Sequence, residues 1–140
     1  MTTIIKSFLW IMAFRQGPDA LPVSTFLARA CILINVLVSV LTNITLLTQE
    51  PWPVTLIRTL LILMINLLLI WTVLRLRSSA HRFNQTISAF MGCDALITFA
   101  TLILLSIFGL TENSITGLLT AVLALWSIFV YGFIFHRSFE

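Results

Sequence analysis

The sequence predicts an all-α integral membrane protein: a four-helix bundle of two antiparallel hairpins, preceded by a short N-terminal interfacial amphipathic helix. Three observations carry this expectation. Four apolar segments, Thr25 to Thr48, Trp52 to Leu74, Thr86 to Leu110 and Ser114 to Phe135, each reach the ~20 residues that a helix needs to cross the hydrocarbon. The composition is 59% hydrophobic and only 9% charged, whereas about a quarter of the residues in a soluble domain are charged. The connectors Gln49 to Pro51 and Thr111 to Asn113 are so short that the first and second spans, and the third and fourth, must be antiparallel neighbours. Backbone groups in lipid have no water to bond, so the spans are read as helices, and residues 1–140 as one transmembrane domain without a soluble one.

The elements follow in order. Residues 2–16 read as a surface helix, with Ile4, Ile5, Phe8, Leu9, Ile11 and Met12 largely on one side and Lys6 and Ser7 off it. Such a helix lies in the cytoplasmic interface with its apolar side in the acyl boundary. Its apolar run is short and lacks a small-residue cleavage site, so it is expected to be retained. Gly17-Pro18 stops it, Pro22 marks a second turn, and Ser24 is placed to cap the first span. The elbow residues Arg15, Gly17, Pro18, Asp19 and Pro22 read as a stiff joint or a docking element, with Arg15 and Asp19 pairing across it or meeting a partner's polar group.

Charge placement sets the orientation. Lys6 and Arg15, the central loop with Arg75, Arg77, His81 and Arg82, and the C-terminal His136 and Arg137 put both termini and the central loop in the cytoplasm, while Glu50 and Glu112 mark the outer turns. The net charge of +3 is thus assigned to topology, and no nucleic-acid partner is expected. Trp52 reads as an outer anchor, and Trp71 with Tyr131 as an inner one. Arg75, Arg77 and Arg82 are placed to contact anionic lipid headgroups.

Small and polar residues recur at helical spacing: Cys31, Asn35, Ser39 and Thr42; Thr55, Thr59 and Asn66; Asp94, Thr98 and Thr101; Gly117, Ala121 and Ala124. These stripes read as helix-packing surfaces, or as a polar path for a solute or ion. Asp94 is the sharpest signal, since an Asp at mid-helix costs on the order of 2.5–3.5 kcal/mol on insertion scales. Arg29 is its expected partner, in an ion pair that locks the two hairpins. A proton-responsive carboxylate and a contact to a partner helix are the functional alternatives. Arg58 is expected to meet Glu50 or Glu112, or to snorkel to lipid phosphate.

Catalysis finds little support. There is no Gly-x-Ser-x-Gly, no His-Glu-x-x-His and no phosphate-cradling loop. Cys31 and Cys93 read as small apolar residues, and His81 and His136 are not spaced as haem ligands. Asn-x-Thr at Asn43 and Asn84 falls in a span and at a cytoplasmic border, not in an exposed outer loop. An offset of 62 residues aligns Arg15, Cys31, Glu50 and Arg75 with Arg77, Cys93, Glu112 and Arg137, which reads as shared topology. No cofactor, metal or catalytic residue is expected.

The elbow Phe14-Arg15-Gln16-Gly17-Pro18-Asp19-Ala20-Leu21-Pro22-Val23-Ser24, with Gly92-Cys93-Asp94-Ala95-Leu96 in the third span, resembles a group of small bacterial four-span inner-membrane proteins that are distantly similar to the Yip1-type membrane proteins. The resemblance implies a multi-pass inner-membrane protein and assigns no activity. Eukaryotic Yip1-type proteins have five spans and a long cytosolic N-terminal region, and this chain has neither.

The function expected first is that of a non-catalytic accessory, assembly or scaffold subunit, acting by helix contacts with a larger membrane complex. Its partners would be membrane lipids and other integral membrane subunits or a second copy. A small transporter or channel using Asp94 and Arg29 is the alternative, and a membrane anchor for a redox enzyme the third.

Overall fold

The computed structural model describes residues 2–46, 51–76, 82–108 and 114–138. It contains five α-helices, α1 (Thr2–Met12), α2 (Thr25–Leu46), α3 (Trp52–Leu76), α4 (Phe83–Phe108) and α5 (Ser114–Ser138), with a 3-10 turn at Pro18–Ala20. No strand occurs among the described residues. Helices α2 to α5 are each long and apolar enough to cross a membrane, so the chain is a multi-pass membrane protein.

Local chemistry explains the helix limits. Ser24 caps α2 by accepting the Leu27 amide at 3.3 Å, as its position suggested. Helix α4 starts three residues before the expected Thr86. The hydroxyls of Thr86 and Ser88 bond back to the carbonyls of Arg82 and Asn84, so these polar residues are accommodated within the first turns of the helix. Helices α3 and α5 outrun their apolar segments, and Arg75 and Arg137 lie over the rings of Trp71 and Phe133 at 4.9 and 5.8 Å. The expected span ends at residues 47–48 and 109–110 lie outside the described residues.

Helix α1 stops at Met12, short of the expected 16. The Phe14 amide bonds to the Ile11 carbonyl and the Arg15 amide to the Trp10 carbonyl, the paired bonds of a Schellman ending. The left-handed position that glycine usually takes there belongs to Phe14, at φ 60°. The contact that normally closes this motif is made by the Arg15 guanidinium over the Trp10 ring, at 5.2 Å.

Both expected hairpins form. Arg58 near the start of α3 bonds to Asn43 near the end of α2, and Thr86 at the start of α4 bonds to Ser138 at the end of α5. The closest packing nevertheless crosses between hairpins. Helix α4, the most enclosed of the four, lies alongside α2, with α3 packed on α2 and also touching α4, and α5 packed on α4.

The core is concentrated at one end. Phe8, Ile11, Met12, Leu21, Ile70, Leu74, Phe90, Met91, Cys93, Val130 and Ile134 are all buried near α1. Helix α1 divides its apolar surface. Phe8, Ile11 and Met12 face the bundle, with the Phe8 ring against Gly92, whereas Ile5, Leu9 and Trp10 face outward. The elbow is tied down as well: Gln85 Nε2 donates to the Leu21 carbonyl at 2.9 Å, and Gly17 lies against the Arg137 side chain. Beyond Asn35, Ile97 and Val130, and before Ile70, the buried residues among those described are polar: Thr42, Thr55, Thr59 and Thr116.

Candidate functional site

The change from an apolar to a polar interior occurs at Asp94. It is the twelfth residue of α4, about 16 Å along the axis at 1.5 Å per residue, deeper than the apolar segment alone implied. Two neutral donors hold its carboxylate. Asn35 of α2 donates from Nδ2 to Oδ2 at 2.7 Å, and Tyr131 of α5 donates its phenol O–H to Oδ1. Three helices thus meet on one side chain.

Each donor is held in place. The Asn35 amide also points Nδ2 at the Met91 carbonyl, 3.4 Å away. Both neighbours can only accept, so the nitrogen must face them and Oδ1 is the free end. The Tyr131 ring stacks on Phe90, with centroids 4.4 Å apart and planes at 27°. Gly92 lets Phe8 close over α4 on the α1 side of this level: a Cβ there would come within 2.6 Å of the Phe8 Cζ.

Two clefts leave Asp94 toward the end remote from α1. One, of about 240 Å3, runs between α4 and α5 and is lined by Thr98, Thr101, Thr120, Ser127 and Tyr131 among others. The other, of about 110 Å3, runs between α2, α3 and α4 past Asn35, Ser39, Asn43, Thr59 and Asn66. In this second cleft Asn43 is fully engaged, accepting from Arg58 Nη2 at 3.2 Å and donating to the Ser39 carbonyl. The Thr59 hydroxyl donates to the Thr55 carbonyl. The Ser39 hydroxyl and the Asn66 amide have no hydrogen-bond partner among the described residues. No group of three His, Cys, Asp or Glu side chains that could hold a metal ion occurs there.

Several expectations are corrected. Among the described residues no ion pair joins Arg29 to Asp94, and Arg29 is exposed. Depth along the helix had suggested the pair, but azimuth forbids it: six residues at 100° each place Arg29 about 120° around α2 from Asn35, which faces Asp94. Tyr131 is an interior ligand of the carboxylate and not an interfacial anchor. At the elbow, Arg15 lies over Trp10 and is not paired with Asp19; both are exposed, as is Pro22, while Gly17 and Pro18 are buried. The stripe Gly117, Ala121 and Ala124 is exposed, and nothing lies within 4 Å of a Cβ at Gly117. The Cys31, Asn35 and Thr42 stripe and the Thr55 and Thr59 pair are buried.

Of the basic residues expected at lipid headgroups, Arg75 is exposed and Arg82 half-buried, and Arg77 lies outside the described residues, as do His81, Glu50 and Glu112. Sequence reasoning missed Tyr131 and Gln85. Tyr131 shares the spacing of Ser127, Ile134 and Ser138, a signal that could have turned it inward. Comparison with known proteins finds no match, whether among family models, curated proteins or solved structures.

Proposed function

We propose that this chain is a non-enzymatic, ion-coupled membrane transporter or channel subunit of a bacterial inner membrane, with both termini in the cytoplasm and Asp94 as the coupling group. The observation that carries the proposal is a mid-span carboxylate served by two neutral donors and no counter-cation among the described residues. Interhelical hydrogen bonds in membranes average ~0.6 kcal/mol, and charge assistance roughly doubles that. Two such bonds return about 2 kcal/mol against the insertion cost of 2.5–3.5 kcal/mol. The shortfall is to be met by a proton, a cation or water reaching Asp94, and two polar-lined clefts end on it.

Reconstitution into liposomes tests this reading. A dye-reported flux under an imposed ion gradient is expected from the wild type and is lost in Asp94→Asn. Flux indistinguishable from empty vesicles, or unaltered by Asp94→Asn, overturns it.

The accessory-subunit reading is favoured by one observation, the uncovered small residues Gly117 and Ala121 on α5. Small residues on a lipid-exposed helix suit close approach of another helix. Purification in mild detergent separates the readings: unrelated large subunits that co-purify support the accessory role, and a self-associated chain that carries flux supports the transporter.

A further inference from the structure

Building on the ion-coupled reading, we infer that the cleft between α2, α3 and α4 is a binding site for a monovalent alkali cation, with Asp94 as its anionic ligand. Most hydroxyls in the spans bond back to a carbonyl of their own helix, as Thr42, Thr59 and Thr101 do. Ser39 does not, and the Asn66 amide, which lines the same cleft, also makes no bond among the described residues. Asn35 is fixed with Nδ2 on Asp94 and Met91, which frees Oδ1. Because no buried side-chain nitrogen or oxygen among the described residues lacks a partner, that unbonded Oδ1 must keep open surface, and Asn35 lines this cleft. Three uncommitted polar groups and a carboxylate therefore line one cleft inside a span and are open to whatever enters it.

The donor set selects the ligand. Carboxylate, amide and hydroxyl oxygens suit hard cations, and no sulfur or imidazole lines the cleft to favour a transition metal. Charge decides the valence: one carboxylate and one alkali ion make a neutral complex, whereas a divalent ion would leave a net positive charge in the hydrocarbon. A cleft of about 110 Å3 accommodates an ion with part of its water shell. Arg58 bears on the mouth through Asn43, whose oxygen it occupies, so Asn43 is left out of the ligand shell. Asn43 lies eight residues beyond Asn35, ~12 Å along α2, roughly five times the contact distance of a bound ion from its oxygens.

Equilibrium binding of radioactive sodium and rubidium to the purified protein in lipid nanodiscs, with choline as blank, tests the site. Saturable binding of at least one ion is expected, abolished by Asp94→Asn and weakened roughly tenfold or more by Asn66→Ala. The Asn66 amide makes no hydrogen bond among the described residues, so Asn66→Ala keeps the test valid even if Asp94→Asn fails to assemble. Binding no greater than the choline blank, or binding unchanged by Asn66→Ala, overturns the site. If Asp94-dependent proton flux in liposomes persists without alkali binding, this inference fails while the ion-coupled function stands.

Discussion

Tyr131 and Asp94 set the energetics at the scale of single residues. Tyr131→Phe keeps the stack on Phe90 and removes only the O–H that Asp94 accepts. It is expected to lower stability by about 1 kcal/mol, read by denaturant titration in detergent micelles. In an Asp94→Asn background the same change should cost measurably less, and equal costs in both backgrounds would sever the two side chains energetically. Phe14 offers a second test. It carries the left-handed turn after α1 and meets Phe133 edge-on at 5.4 Å. Phe14→Ala and Phe14→Gly both lose that contact, but only glycine relieves the backbone, so Phe14→Gly is expected to be the more stable by roughly 1 kcal/mol. The site was partly legible at this scale. Asp94 and Asn35 stand out as polar residues on apolar helices, and their spacing from Cys31 and Thr42 marks the buried face of α2. Charge and depth alone pair Arg29 with Asp94, and rotation about the helix separates them. The interior role of Tyr131 is hidden because a tyrosine near a span end usually belongs to the interface.

At the scale of elements, glycine separates a required close approach from open space. Helix α1 seats on α4 because Gly92 admits the Phe8 ring, while Gly117 on α5 faces nothing within 4 Å. Gly92→Ala is expected to cost about 1–3 kcal/mol through overpacking, measured as loss of thermal stability in detergent. Gly117→Ala should be neutral or slightly stabilising, since alanine is the better helix former. Combining Gly92→Ala with Phe8→Leu should lose less than the two single changes together, because the smaller side chain vacates the space the new methyl needs. The hairpins were legible because a three-residue connector leaves no freedom of neighbour. The seating of α1 was not: Phe8 and Gly92 lie far apart in sequence, and an apolar arc on a short helix looks the same whether lipid or protein covers it. The Leu21 tie to Gln85 is hidden for the same reason, as a backbone carbonyl carries no sequence signal.

Across the whole molecule, the distribution of burial gives the bundle a direction. The half near α1 is packed with apolar side chains from every helix and its cleft, of about 160 Å3 beside Phe8 and Cys31, is apolar, whereas beyond Ile97 the buried residues among those described are polar and two polar-lined clefts open. Hydropathy along the sequence cannot reveal this, because both halves of every span are equally apolar on their lipid-facing sides. Thiol accessibility can. The native cysteines, Cys31 and Cys93, are both buried on the apolar side, where the cleft beside Cys31 is lined by apolar residues, so an impermeant maleimide added to the intact protein in liposomes is expected to leave them unmodified. Cysteines introduced by Ser39→Cys, Asn66→Cys or Thr98→Cys line the open clefts and should react, through water, from the face that carries the α2–α3 connection. With both termini inside, as the basic residues indicate, that face is the outer one, and reagent confined to the other side should leave the new thiols unlabelled. If the introduced cysteines are as silent as the native pair, the half beyond Asp94 is sealed. Asp94 would then be a structural hydrogen-bond hub without access to ions, and the ion-coupled function would fall with its route of entry.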